Sequence, residues 1–200
     1  GGIDGVRDIQ VLSPTKKGNV GTIELNRVLQ ETFNPHREGI SEKKFMDRVF
    51  RVGDKVMQIK NNYQMEWKIL SRGEAGQGVF NGDVGFIAYV DAENQNLTVI
   101  YDDEKYVEYD FSKLDELELA YAVTVHKSQG SEFPIMVMPI SWFPPMLATR
   151  NLLYTAVTRG KKVVVLVGSE NRLRAMVDND RIKLRYSGLA YRLSNLMTFD

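Results

Sequence analysis

The sequence predicts an α/β protein interrupted by a small β-barrel, and three observations lead there. Apolar, partly β-branched runs at 9–12, 122–125, 135–140 and 162–168 read as buried strands. They alternate with helix-period stretches at 22–33 and 149–159, the pattern of a parallel sheet covered by helices. From Phe45 to about residue 118 the helical period disappears, and short alternating strands closed by turns take its place.

The elements follow in order. Residues 9–12 form a short strand that Ser13-Pro14 ends. A basic, glycine-punctuated loop, Thr15-Lys16-Lys17-Gly18-Asn19-Val20-Gly21, leads into a helix that Thr22 can cap, with Leu25, Val28, Leu29 and Thr32 at helical spacing. Asn34-Pro35 stops it. Such a loop at a helix N-terminus can offer amides and a favourable dipole to an anion, or it can be a solvated turn with its lysines in water. It is not a P-loop, because no Gly-Lys-Ser/Thr occurs in the chain.

In the barrel region, Asn81-Gly82 between apolar runs signals a hairpin, and Asp102-Asp103-Glu104-Lys105 a second one. An SH3-like barrel fits the strand lengths. Lys60, Asn61, Asn62, Tyr63, Trp67, Lys68 and Arg72 mix rings with donors and cations, as single-stranded nucleic acid requires. Tyr63 and Trp67 could equally be core residues. The acidic stretches 102–104 and 110–118 are expected to face away from nucleic acid.

The second α/β part begins near Leu119. The strand at 122–125 runs into His126-Lys127-Ser128-Gln129-Gly130-Ser131-Glu132, a polar loop at the end of a buried strand, where open α/β sheets place ligands. An ordinary surface turn is the plainer alternative. Thr149 caps a helix reaching Arg159 that buries Leu152, Leu153, Ala156 and Val157. Residues 162–168 read as a strand buried on both faces. Ser169 opens a further helix burying Leu173, Met176 and Val177, and 178–180 breaks it. The tail suggests a strand or basic loop and a final amphipathic helix.

Composition narrows the function. Lys plus Arg equals Asp plus Glu at 26 each, so nucleic acid can be held only by local patches. The chain has no cysteine and two distant histidines, which argues against disulfides, thiol chemistry and a zinc site. Its apolar runs are too short to span a bilayer as a helix, and a cytoplasmic protein without membrane partners is expected. The opening Gly1-Gly-Ile-Asp4 has no initiator methionine, so the chain reads as a piece of something longer.

Two segments carry a family resemblance. Ala120-Tyr-Ala-Val-Thr-Val-His-Lys-Ser-Gln-Gly-Ser-Glu132 resembles motif V of superfamily 1 helicases, and Asn151-Leu-Leu-Tyr-Thr-Ala-Val-Thr-Arg159-Gly-Lys161 resembles their motif VI. Both are most similar to the RecD/TraA-type branch, superfamily 1B. Residues 11–14 and 25–30 with Asn34-Pro35 resemble its motif IV region. Val-Gly-Asp54-Lys-Val-Met and Asn81-Gly-Asp-Val-Gly85 resemble its inserted 2B barrel.

The resemblance implies a RecA-like domain 2A without its P-loop, in two parts at 1–46 and 119–200, around an SH3-like 2B barrel at 47–118. It implies an ATP-dependent 5′-to-3′ DNA helicase with ATP and Mg²⁺ held mainly by an upstream RecA-like domain. Arg159 becomes the catalytic arginine finger; by spacing alone it could be a surface arginine at a helix end. Lys17, Gly130, Glu132 and Arg159 are expected near the nucleotide. Thr124, His126, Lys127 and Ser128, with Lys60, Asn61, Tyr63 and Trp67 of the barrel, are expected near single-stranded DNA. No metal ligand is expected within this span, and other recombination or repair proteins are candidate partners. A non-catalytic nucleic-acid-binding module and the helicase part of a conjugative relaxase remain alternatives.

Overall fold

A computed structural model describes residues 2–180. The chain runs β1 (Ile9–Ser13), α1 (Thr22–Phe33), β2 (Glu42–Phe45), β3 (Arg48–Arg51), β4 (Lys55–Gln58), β5 (Asn62–Ile69), β6 (Glu74–Val79) and β7 (Val84–Asp91). It continues through β8 (Asn96–Tyr101), β9 (Lys105–Asp110), β10 (Leu117–Leu119), β11 (Ala122–Thr124), β12 (Phe133–Ile140), α2 (Arg150–Val157), β13 (Gly160–Gly168) and α3 (Glu170–Asp178). The expected tail elements lie outside the described residues.

A parallel sheet of order β11-β1-β12-β13 is built from both ends of the chain, and Leu12, Val123, Met136, Met138, Leu153 and Ala156 form its core. Between β1 and β11 the chain makes the β2–β3 hairpin and a seven-stranded antiparallel sheet of order β10-β4-β7-β8-β9-β5-β6. Strands β9 and β4 lie three places apart in that sheet, yet Tyr109 OH donates across the interior to Gln58 Oε1 at 2.9 Å. The sheet therefore curls around its core of Phe50, Val56, Ile87, Leu97 and Val107. Among the described residues its ladder is not closed, and β6 and β10 are the edges.

Several local expectations change. Asn81-Gly82 is a turn but not a hairpin, because β6 pairs with β5 while β7 pairs with β4 and β8. The turn is anchored to β4 instead, with Gly82 N donating to Gln58 O and Gln58 N to Asp83 O. Among the described residues strand β13 is an edge paired only with β12, and Val163, Val164, Val165 and Val167 are exposed rather than buried on both faces. Val177 of α3 is also exposed, whereas Met176 is buried.

Helix α1 departs furthest from its pattern. Its buried stripe is polar, Thr22, Asn26 and Gln30 at i, i+4 and i+8, and Val28 faces solvent. Asn26 Nδ2 donates to Leu119 O and Ala122 O, and its Oδ1 accepts from Ala122 N, so this side chain pairs the backbone where β10 passes into β11. Gln30 Nε2 donates to Val49 O and to Asp54 Oδ2. Unpaired backbone at a sheet-to-sheet junction needs polar partners, and α1 supplies them.

Asp54 is the hub of that junction. Its carboxylate is fully buried and accepts from Gln30, Asn34, the Arg51 amide and Tyr121 OH at 2.6–2.9 Å. Burial pushes its carboxyl up, and the Asn34 and Arg51 donors pull back against that. Next to it Lys55 donates to Val6 O and Ile9 O, and burial lowers its ammonium from 10.5 to about 8.

Between those two values the unfolded chain is the better proton binder at Lys55, so stability should rise with pH across that window. Above about pH 10 the trend should reverse, since burial raises Tyr101, Tyr109 and Tyr121 and the folded state keeps protons the unfolded state gives up. Urea midpoints between pH 7.5 and 9.5 should therefore climb by about 2 kcal/mol equivalent, and Lys55→Met should flatten the climb. A wild-type midpoint falling over that range would refute the assignment.

Candidate nucleotide and nucleic-acid interface

The residues after β11 do not turn back at once. β11 aligns with 11–13 of β1, whereas β12 begins below that level, pairing Ile135 with Ile9. Residues 125–132 therefore cross from the C-terminal edge of the sheet to its N-terminal edge. Thr124 O accepts from Lys127 N and Ser128 N, and Ser131 N donates to Ser128 O, which coils the crossover. Gly130 takes a φ of +87°, a left-handed conformation that favours glycine.

At the C-terminal edge the crossover faces the start of α2. Exposed His126 and Gln129, with Thr149, Asn151 and Thr155, line a cleft of about 690 Å³ whose far wall is the Pro145–Met146–Leu147 loop. Thr149 caps α2, its hydroxyl accepting from Leu152 N at 3.3 Å. Asn151 and Thr155 are one turn apart on the face opposite buried Leu153 and Ala156. That i, i+4 polar pair was a signal available in the sequence.

At the N-terminal edge stands Arg159, just past the end of α2. Its guanidinium donates to Thr155 O at 3.2 Å, Ser131 O at 3.2 Å and the Thr158 hydroxyl at 3.3 Å. All three acceptors are uncharged, and among the described residues no carboxylate pairs with it, so its positive charge is oriented without being neutralised there. Gly130 and exposed Glu132 lie on the same stretch of crossover, and Glu132 pairs with Lys161 at 3.1 Å. The structure thus separates the expected site residues, with Thr124 and His126 at one end of the crossover and Gly130, Glu132 and Arg159 at the other.

Other expected residues fare differently. Ser128, expected at DNA, is buried and spends its hydroxyl on Val125 O at 2.8 Å, so it holds the loop and cannot reach a ligand. Lys127 is half-buried and paired with Glu118 at 2.9 Å, and Lys16 reaches the same carboxylate at 3.2 Å. Burial raises the Glu118 carboxyl, and the two ammonium groups more than offset this, holding it below the usual range.

Lys17 is exposed on the loop before α1, but that loop is no anion cradle. Thr22 N and Ile23 N, at the start of the helix, donate to Thr15 O and Lys16 O of the same loop. Gly21, not Thr22, is the N-cap; a Cβ there would lie 2.6 Å from Lys16 O, so only glycine lets the loop fold back.

The barrel residues divide as well. Asn61 and Tyr63 are exposed, and the Tyr63 ring meets Phe80 edge-on at 5.6 Å. Trp67 is half-buried against the barrel core, beside Met65 and Ile69. The acidic stretches do not face away: Asp115 pairs with Lys60, Glu104 with Arg72 at 2.6 Å and Asp102 with Lys105 at 2.9 Å. The hairpin that brings β9 beside β5 carries the carboxylates onto the cationic face.

Known proteins share both halves of this architecture. The family model described as the ATP-dependent RecD-like DNA helicase SH3 domain matches residues 25–101, and that of the UvrD-like helicase C-terminal domain matches 119–167. The ATP-dependent RecD2 DNA helicase of Deinococcus radiodurans is 36% identical over 161 residues, covering 80% of this chain and 20% of the relative. The RecBCD enzyme subunit RecD of Mycobacterium tuberculosis is 35% identical over 127 residues, covering 64% of this chain and 21% of the relative.

Among solved structures, Bacteroides Pif1 bound to single-stranded DNA superposes with a TM-score of 0.52 at 17% identity, covering 94% of this chain and 46% of that one. Pif1 helicase from Candida albicans gives 0.52 at 15%, covering 98% and 50%. That likeness is one of fold. The chain spans about a fifth of the length of the curated relatives it matches. With the RecD-like SH3 domain set between the strands of a helicase C-terminal domain, it belongs to the RecD-like helicase family.

Proposed function

We propose that this chain is the second motor part of an ATP-dependent 5′-to-3′ DNA helicase, a RecA-like 2A domain at 1–46 and 119–200 carrying a 2B domain at 47–118. The observation that carries the reading is the crossover 125–132, which joins a polar cleft at one sheet edge to an unneutralised arginine at the other. ATP and Mg²⁺ bind mainly to an upstream RecA-like domain of the same polypeptide, and this chain adds Arg159, with Gly130 and Glu132 on the same stretch; Lys17, expected with them, follows β1 and stands at the opposite edge of the sheet. A guanidinium held only by uncharged oxygens suits a terminal phosphate, whose charge grows as it departs. The protein works in the cytoplasm. Relatives named RecD are RecBCD subunits, so recombination or repair proteins are natural partners. Among the described residues no helix is long and apolar enough to cross a membrane.

Single-stranded DNA is held by His126 at the cleft and Thr124 and Lys127 beside it, with Asn61 and Tyr63 on the barrel; Lys127 must leave Glu118, and Lys60 Asp115, to join them. A labelled dT oligonucleotide should bind more tightly than duplex, with a log–log salt slope of about −0.7 per phosphate contacted. Tyr63→Ala should lower affinity by about 1–3 kcal/mol without changing the slope, because stacking releases no counterions. His126→Ala should weaken binding in a protein of unchanged melting temperature. If neither variant alters dT binding, the DNA face lies elsewhere.

A further inference from the structure

Trp67 and Phe80 pack against bare backbone of an edge strand. Edge strand β6 carries Gly76 and Gly78; an ideal Cβ at Gly76 would sit 2.4 Å from the Trp67 ring, and one at Gly78, whose φ is +104°, 2.9 Å from Phe80. The two rings wall a cleft of about 310 Å³ whose charged lining is Asp83, Asp102 and Lys105. One cation is already seated there: Lys105 Nζ lies 2.9 Å from Asp102 and 5.7 Å from the Trp67 ring centroid. Phe80, 44% exposed, and Asp83 form the open end, where Asp83 spends one oxygen on Phe80 N at 2.8 Å. Aromatic faces beside carboxylates attract cations and repel phosphates.

We propose that this cleft takes a lysine or arginine side chain on a basic segment of a partner protein, so that Trp67 serves a protein contact instead of a DNA base. A planar guanidinium would lie against Phe80 while pairing with Asp83.

The test uses the whole chain carrying Trp142→Phe, which leaves Trp67 as the single tryptophan of the two. Its emission is followed with acetyl-Gly-Arg-Gly-Arg-Gly-amide, the glutamate counterpart and a dT oligonucleotide. The arginine peptide should give a saturable change and the other two none. Asp83→Asn with Asp102→Asn preserves shape, and asparagine tolerates the positive φ of 52° at position 102; it should weaken the peptide about tenfold. Gly76→Ala should abolish the response, and the isosteric asparagine pair carries the test if that variant misfolds. A response to dT alone, to neither probe, or to the arginine peptide equally in the asparagine variant overturns the proposal. Binding of labelled dT through His126, measured in parallel, reports on the helicase reading separately.

Discussion

Replacing Arg159 by alanine in the full-length helicase should lower ATP turnover by about a thousandfold or more, while DNA affinity and melting temperature stay near wild type. The two halves of that expectation rest on different contacts. The stability half follows from its three hydrogen bonds, all to uncharged oxygens, two at the end of α2 and one on the crossover, which at this half-exposed position contribute on the order of 1 kcal/mol each. The catalytic half follows from charge: among the described residues no carboxylate takes up the guanidinium, so its field remains available to a phosphoryl group whose charge grows in the transition state. Arg159→Lys separates position from fork geometry. Lysine keeps the charge but cannot hold Ser131 O and an anion with one planar group, so it should recover little. Steady-state turnover with single-stranded DNA, alongside a thermal melt, decides the matter. An alanine variant with most of its turnover, or one that loses turnover only by melting, would return Arg159 to a structural role.

The second large effect is on stability. Asp54→Ala should cost about 3–5 kcal/mol, because a buried acceptor of four hydrogen bonds disappears and its donors are left unpaired in the interior. Those donors come from α1, the residue that ends it, the last residue of β3 and the residue before β11, so one substitution loosens both sheets together. Asp54→Asn should rescue poorly, since an amide brings two donors of its own to a site that presents only donors. Urea unfolding followed by tryptophan emission can report on both sheets, with Trp67 in the barrel and Trp142 beyond β12. The two signals should lose stability in step. A loss below about 1 kcal/mol, or a shift confined to one tryptophan, would mean that Asp54 does not join the sheets.

The same hub shows what sequence reading could reach. Val-Gly-Asp54-Lys-Val-Met marks the start of the barrel by its resemblance, yet nothing in the alternation there says that Asp54 and Lys55 are buried. Burial of a charge depends on partners distant in sequence: Tyr121 lies 67 residues from Asp54, and Val6 lies 49 from Lys55. Helix α1 shows the same limit. Its helical spacing of Leu25, Val28, Leu29 and Thr32 is visible in the sequence, but nothing local says that its fully buried residues are the polar set that satisfies backbone at the junction.

By itself the sequence determined the α/β class with a β-rich interruption, the strands and helices of the parallel-sheet part, and the motif V and VI segments. These depend on local periodicity, caps and turns, which neighbouring residues settle among themselves. Tertiary structure alone decided the pairing. It put β6 at an edge away from β7, turned Ser128 inward, and laid the Asp102–Glu104 hairpin beside Arg72. Only the folded chain could show that Arg159 reaches Ser131, 28 positions earlier, and that Trp67 rests on Gly76 beside acidic groups. Which charges and rings meet is fixed by strand order and register, and those follow from the packing of both sheets as a whole.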